Sequence, residues 1–139
     1  MSDASADRRH IFVINDVPDI LNLFVDLLGG EGYQVTTDIF SLELSRLLTH
    51  VIDVQPDLVI LDLMVAQEAL GWQLLQMMKM DRSARAIPVI ICTGAAQKVA
   101  ELSTHLTAMN VATVLKPFDI DHLFATIDNV WVPNTQPND

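Results

Sequence analysis

The sequence predicts an α/β fold in which a parallel sheet of five strands is covered by helices on both faces. Strand-like and helix-like segments alternate five times along the 139 residues, and this order is typical of a parallel sheet with crossover helices. Most of the strand-like segments are continuous apolar runs, as expected of strands that are buried on both faces. These two observations indicate a three-layer sandwich of helices, sheet and helices.

The five predicted strands are short apolar or β-branched runs that end in polar residues or turns. They are "HIFVIND" (10–16), "YQVTT" (33–37), "PDLVILD" (56–62), "AIPVIICTGA" (86–95) and "VATVLKPF" (111–118). Pro56 introduces the third strand, and the carboxylate of Asp62 follows its four apolar residues directly. Burial of a charged carboxylate is costly unless another group compensates the charge, so we expect a group that compensates the charge of Asp62.

The five predicted helices carry apolar residues at helical spacing. They cover residues 17–32, 41–53, 71–81, 97–110 and 119–132. In the first segment Gly29 and Gly30 mark the stop of the helix, and the apolar residues at helical spacing are Ile20, Leu21, Phe24, Leu27 and Leu28. Ser41 or a neighbouring residue is a candidate N-cap of the second helix.

Length and composition predict one domain, with a folded core at about 10–132 and loose tails at 1–9 and 133–139. Half of the residues are hydrophobic, and 19% are charged. The net charge of −10 argues against direct nucleic-acid binding, which usually needs a basic surface. No apolar run approaches the ~18 residues of a membrane span, no signal peptide is evident, and Cys92 is the single cysteine. We therefore expect a cytoplasmic protein that binds neither nucleic acid nor membrane.

The ends of the first, third, fourth and fifth predicted strands carry polar groups that suggest a common chemistry. The first strand ends in Asn15 and Asp16, the third in Asp62, the fourth in Thr93 and the fifth in Lys116. In an open α/β sheet, ligands bind beyond the carboxyl ends of the strands, where the strand order switches. Carboxylates suit Mg²⁺, lysine is a point charge for phosphate, and a hydroxyl can donate to a phosphate oxygen. The set therefore suggests a site for a hard cation and a phosphoryl group.

Over residues 10–132 the sequence resembles the response-regulator receiver family of two-component signalling. The matching motifs are "FVIND", "PDLVILDLM", "IPVIICTGA" and "VLKPF", and their order and spacing together are highly specific. The resemblance implies a flavodoxin-like (CheY-like) (βα)5 sandwich with strand order 2-1-3-4-5. It also implies a phosphoacceptor in a phosphorelay, not an enzyme acting on a separate substrate. The implied partners are a histidine kinase or phosphotransfer protein, a downstream protein and, as a further candidate, a second copy of the chain.

The resemblance assigns roles to particular residues. Asp62 corresponds to the phosphorylated aspartate, Thr93 to the hydroxyl residue that follows the phosphoryl group, and Lys116 to the lysine that compensates its charge. Asp16, Asp62 and the backbone carbonyl of Met64 correspond to the ligands of Mg²⁺. The Lys116–Pro117 peptide bond is expected to be cis.

Three departures from the family affect these expectations. Asn15 stands where a second acid is usual, so we expect it to bind Mg²⁺ only weakly or through water. The loop "MVAQEALG" lacks the usual proline and is about one residue longer than usual. Thr113 replaces the aromatic ring that usually moves inward on activation, so Thr93 and Thr113 together form an altered switch.

Other function classes remain open from the residues alone. A pseudo-receiver would use the same fold only for protein–protein contact, without phosphorylation. A phosphatase resembling the haloacid-dehalogenase family would need a second acid two residues after Asp62, where this chain has Met64. A flavodoxin would need a phosphate-cradling loop after the first strand, where this chain has the acidic "NDVPD". Phosphoryl transfer to Asp62 separates the first alternative from the leading hypothesis.

Overall fold

The computed structural model describes residues 8–64 and 68–131, which form five strands and five helices in alternation. The strands are β1 (His10–Asn15), β2 (Gln34–Ile39), β3 (Leu58–Asp62), β4 (Val89–Thr93) and β5 (Val111–Leu115). The helices are α1 (Pro18–Gly30), α2 (Leu44–Val54), α3 (Glu68–Met80), α4 (Ala96–Ala108) and α5 (Ile120–Trp131). The predicted alternation is therefore confirmed.

The strands form one parallel sheet in the order β2-β1-β3-β4-β5, as predicted. From β1 the chain first moves outward to β2 and then returns past β1 to β3. This reversal between β1 and β3 is the switch point at which open α/β sheets bind ligands beyond their carboxyl ends. The topology therefore places the ends of β1 and β3 side by side.

The two faces of the sheet carry separate apolar cores, which explains the continuous apolar strands. On one face Phe12 and Ile14 pack with the apolar residues of α2, α3 and α4. On the other face Ile11 and Val13 pack with those of α1 and α5. Successive strand residues point to opposite faces, so a strand that is buried on both sides has no position for an exposed polar residue.

Two predicted helix starts differ from the structure by three residues, and the others by one. The α2 N-cap is Glu43, which makes no side-chain capping bond. Ser41 is not the cap, because its hydroxyl accepts a hydrogen bond from the Glu43 N–H (3.3 Å) in the turn before the helix. Helix α3 begins at Glu68, three residues before the expected Gly71. The apolar spacing shows only where a helix meets the core, whereas the first turn of α3 lies partly outside it.

Arg9, which the sequence analysis placed in a tail, is held against the sheet. Its carbonyl accepts a hydrogen bond from the Gln34 N–H (2.9 Å). Its guanidinium lies 4.5 Å from the ring centre of Trp131, and the Trp131 indole N–H donates to the Tyr33 hydroxyl (2.9 Å). These contacts fasten the end of α5 to the amino-terminal edge of the sheet.

Gly71 allows α3 to lie close to the end of β3. A Cβ atom at this position would lie 2.1 Å from Cδ2 of Leu63, a side chain that is itself buried. Leu63 follows Asp62 directly, so the packing of α3 against Leu63 helps to set the backbone beside the carboxylate.

Within the described residues, no helix is both long and apolar enough to cross a membrane.

We predict that Gly71→Ala destabilises the fold. The added methyl overlaps Leu63, and overpacking of this kind costs about 1–3 kcal/mol of unfolding free energy. Urea denaturation followed by circular dichroism measures the change.

Gly29→Ala is the matched control, because a Cβ at Gly29 in α1 meets nothing within 4 Å. It is expected to be neutral or to stabilise by about 0.5–1 kcal/mol, the usual helical preference for alanine over glycine. In a Leu63→Ala background the cost of Gly71→Ala should shrink. An equal cost in both backgrounds contradicts the overlap with Leu63 as its cause.

Candidate functional site

The carboxyl edge of the sheet brings together the polar residues that the sequence analysis selected. Asn15 and Asp62 are the last residues of β1 and β3, Thr93 is the last residue of β4, and Lys116 follows β5. Asn15, Asp62 and Thr93 are the buried polar residues among the part of the chain that the structure describes. Parallel strands end at one edge, so the strand order alone gathers these groups.

The ion pair between Asp62 and Lys116 is the centre of the site. Lys116 Nζ lies 2.6 Å from Asp62 Oδ1 and also donates a hydrogen bond to the carbonyl of Leu63 (3.1 Å). No residue that the structure describes forms a hydrogen bond of good geometry with Asp62 Oδ1, so its contact with Lys116 is a short-range ion pair. The Lys116–Pro117 peptide bond is cis, as expected.

Burial raises the pKa of Asp62 above its ordinary value, and the nearby Lys116 offsets only part of this effect. The negative charge of Asp16 raises the pKa further. Asp62 is only 6% exposed. The carboxylate is therefore short of positive charge, and an additional cation at this edge would stabilise its ionised form.

Asp16 lies at the rim of the same edge. Its Oδ1 atom is buried and has no hydrogen-bond partner among the residues that the structure describes. Buried polar atoms without a partner are uncommon, and one on a carboxylate beside a second carboxylate suits a cation ligand. No group of three or more His, Cys, Asp or Glu side chains in residues 8–64 and 68–131 is arranged to hold a metal ion. Asp16 and Asp62 are thus a pair of acids and not part of a larger described cluster.

The Asn15 side-chain amide forms hydrogen bonds to the backbone through both its NH₂ group and its oxygen. Its NH₂ group donates to the carbonyl of Asp62 (3.1 Å), and its oxygen accepts from the N–H of Val17 (2.7 Å). The side chain is fully buried. Asn15 thus joins the end of β1 to the end of β3, a contact that an aspartate could not make in full because an ionised carboxylate has no donor.

Thr93 is fully buried, and a residue that the sequence analysis missed engages it. Its hydroxyl donates to Oε2 of Glu68 (2.5 Å) and accepts from the N–H of Ala95 (3.1 Å). Glu68 was assigned to the loop before the predicted helix, but it is the first residue of α3. The available signal was an acid that follows Asp62 closely and begins a helix, where negative charge is favoured.

Met64 lines the site, whereas Thr113 lies in the middle of β5. Met64 is half-buried and lines a cavity of about 450 Å³ together with Asp62, Lys116 and apolar residues of α1 and α5. Thr113 is half-buried in β5 and pairs with Ile91 in β4. Of the loop "MVAQEALG", residues 65–67 lie outside the described residues, so its predicted extra length stays a prediction.

Asp38, at the end of β2, has its own partners. It pairs with Arg46 Nη1 (3.2 Å) and His50 Nδ1 (2.7 Å), both on α2. Burial alone would raise the pKa of Asp38, but the hydrogen bonds from His50 and Arg46 together lower it below its usual value. This cluster fastens α2 to the sheet, whereas Asp16 Oδ1 has no such partner in residues 8–64 and 68–131.

Comparison with known proteins gives one consistent result. The model of the response regulator receiver domain family matches residues 11–128. The DNA-binding response regulator MtrA of Mycolicibacterium smegmatis is 28% identical over 120 residues, which are 86% of this chain and 49% of that protein. The chain thus spans about half the length of this curated relative.

Solved structures agree with the fold. The N-terminal domain of a response regulator receiver protein from Methanoculleus marisnigri has a TM-score of 0.60 and 28% identity, covering 90% of this chain and 98% of its own. The response regulator TrrA from Thermotoga maritima, solved in complex with Mg²⁺ and BeF, has a TM-score of 0.67 and 23% identity, covering 88% and 98%. The second similarity shows the fold alone.

Proposed function

The chain belongs to the response regulator receiver domain family, and on this premise we propose that it accepts a phosphoryl group on Asp62. The donor in this proposal is a phosphohistidine on a histidine kinase or phosphotransfer protein. The single observation that carries the proposal is the buried Asp62 carboxylate with the Lys116 ammonium at 2.6 Å. A carboxylate that is buried at a strand end and paired with one lysine has both the nucleophile and part of the charge compensation that phosphoryl transfer needs.

In the proposed reaction a carboxylate oxygen of Asp62 attacks the phosphorus of the phosphohistidine. The new P–O bond gives an acyl phosphate while the P–N bond breaks, and the imidazole leaves with its electron pair. Lys116 compensates negative charge on the phosphoryl oxygens, and Thr93 supplies a hydroxyl donor from the neighbouring strand end. Phosphoryl transfer depends largely on such positioning and charge compensation.

Mg²⁺ fits the acids of the site. Asp16, Asp62 and the Met64 carbonyl would hold it, and it would supply positive charge to the phosphoryl oxygens. The buried Asp16 oxygen without a described partner supports this, and so does the repulsion between Asp16 and Asp62. Asn15 adds no charge, and its amide engages the backbone, so we propose that Mg²⁺ binding is weaker than with a second acid.

The proposed output is a change in partner binding. An acyl phosphate adds charge and strong acceptor oxygens beside Thr93, which would be drawn toward them. Thr113 lacks the volume of an aromatic ring, so the coupling to β5 should be small. We place the larger change in the segments that follow β3 and β4. A downstream protein, rather than nucleic acid, suits the net charge of −10.

We predict that incubation with acetyl phosphate and Mg²⁺ adds one phosphoryl group and that Asp62→Asn abolishes the addition. The amide of asparagine is not a nucleophile of this kind, although it has nearly the same shape. Intact-mass spectrometry and peptide mapping measure the result. Asp26→Asn, on the exposed face of α1, is the control and should label like the parent chain. Label on a serine or histidine would refute the assignment.

Asn15→Asp is predicted to weaken the metal-free fold and to tighten Mg²⁺. The aspartate cannot donate to the Asp62 carbonyl and places a third charge beside Asp16, so the unfolding free energy in EDTA should fall by about 1–3 kcal/mol. Mg²⁺ should restore more of the stability than it adds to the parent chain. Urea denaturation with and without Mg²⁺ measures both.

Asn15→Ala separates the two effects, because it removes the backbone contacts without adding charge. It should lose stability and bind Mg²⁺ no more tightly than the parent chain. If Asn15→Asp also leaves the Mg²⁺ affinity unchanged, residue 15 takes no part in the cation's surroundings.

Met64→Asn is predicted to shorten the lifetime of the acyl phosphate. Met64 is half-buried beside the Asp62 cavity, and neither it nor Ala95 has a polar side chain to orient a water for attack on phosphorus. An amide at position 64 supplies one. Loss of the phosphorylated mass after removal of acetyl phosphate gives the rate, and Met64→Leu serves as the apolar control. Equal decay of both variants and the parent chain would count against this argument.

A further inference from the structure

The Thr93 hydroxyl is already committed in the structure. Its proton is donated to Oε2 of Glu68 at 2.5 Å, while its oxygen accepts the N–H of Ala95. Thr93 is fully buried, so water cannot readily replace either contact. A threonine hydroxyl has a single proton to donate.

A phosphoryl oxygen on Asp62 would need that same proton. We propose that Glu68 is an internal competitor of the phosphoryl group for Thr93, and that it must release the hydroxyl before the acyl phosphate can use it. This inference rests on the proposed function and deepens it, because it adds to the site a residue that lowers the affinity for the phosphoryl group.

Charge strengthens the competition. Asp16 and Asp62 already repel each other at this edge, and Lys116 pairs with Asp62. An incoming phosphoryl group adds further negative charge, while Glu68 holds a carboxylate against the residue to which that group would bind. Like charges at short range in a buried site oppose each other strongly. Removing the Glu68 carboxylate therefore favours the phosphoryl-bound state in two ways. It reduces the repulsion, and it releases the Thr93 proton, fully in an alanine variant and partly in a glutamine variant, whose amide oxygen still accepts but more weakly than a carboxylate.

The position of Glu68 connects this competition to α3. Glu68 is the first residue of that helix, and three residues later Gly71 packs against Leu63, next to Asp62. In the unphosphorylated state the Glu68 contact joins the first turn of α3 to the end of β4. Release of Glu68 breaks this link, so occupancy of Asp62 changes how the start of α3 is held.

A role for Glu68 as a third metal ligand has less support. The described residues contain no group of three His, Cys, Asp or Glu side chains that could hold a metal, and the Oε2 atom of Glu68 is occupied by Thr93. The two roles predict different affinities for beryllofluoride. Loss of a metal ligand would not strengthen its Mg²⁺-dependent binding, whereas loss of a competitor for Thr93 would strengthen it.

The test is a titration with beryllofluoride at saturating Mg²⁺, in which isothermal titration calorimetry measures the affinity. Beryllofluoride stands in for the phosphoryl group on an aspartate. Glu68→Gln and Glu68→Ala should bind it roughly threefold to tenfold more tightly than the parent chain, a range that corresponds to one net hydrogen bond. Glu101→Gln, which removes an exposed acid of α4, is the charge-matched control and should leave the affinity unchanged.

A Thr93→Ala background identifies the cause. Without the hydroxyl there is no proton to compete for, so Glu68→Gln should gain clearly less affinity there than in the parent chain. Circular dichroism and urea denaturation establish that each variant is folded. If Glu68→Ala does not fold, Glu68→Gln tests the inference, because glutamine has nearly the same shape as glutamate.

The outcomes separate this inference from the proposed function. If the parent chain takes up beryllofluoride and labels on Asp62, but the Glu68 variants bind no more tightly, the competition is refuted and the phosphoacceptor role stands. Weaker binding of both beryllofluoride and Mg²⁺ in Glu68→Gln also refutes it, in favour of a metal ligand. If only the Glu68 variants bind beryllofluoride, the competition is supported in its strongest form. If no variant binds it, both proposals fail.

Discussion

The buried ion pair between Asp62 and Lys116 is the constraint on which the rest of this site depends. A carboxylate at the end of a strand that is buried on both faces needs a compensating charge, and Lys116 supplies it from the end of β5. The same ammonium also binds the Leu63 carbonyl, so one lysine fastens both the side chain and the backbone beside it. Burial still raises the pKa of Asp62 above its ordinary value, so further positive charge at this edge would stabilise the ionised carboxylate.

Asn15 and Asp16 affect the charge of this edge in different ways. Asn15 holds the backbone of β3 without adding charge, which keeps the metal-free site less crowded with carboxylates. Asp16 retains a buried oxygen without a partner in the described chain, and in our proposal this oxygen is a ligand for the cation. The two adjacent residues thus divide structural support and charge between them.

Glu68 and Gly71 connect the beginning of α3 to the same edge of the sheet. Gly71 lets the helix approach Leu63, and Glu68 takes the Thr93 proton. The fold therefore joins the ends of β3 and β4 through the first turn of a helix. In our proposal the phosphoryl group alters this connection, and the half-buried Thr113 of β5 contributes less than an aromatic ring would.

The sequence by itself determined the architecture and the gathering of the site residues. Continuous apolar runs ending in Asn15, Asp62 and Thr93 required a parallel sheet that is buried on both faces, and such a sheet brings its carboxyl ends to one edge whatever the details of packing. The start of α3 was missed by three residues, because helical periodicity registers only the turns that face the core.

Only the tertiary structure decided which atoms meet. Glu68 and Thr93 are 25 residues apart, and the Asn15 amide reaches the Asp62 carbonyl across 47. The sequence equally allowed Asn15 to face a cation and Glu68 to face solvent. Whether two groups form a hydrogen bond depends on differences of a few tenths of an ångström in the distance between their atoms. These distances follow from how helices and strands that are far apart in the chain pack together.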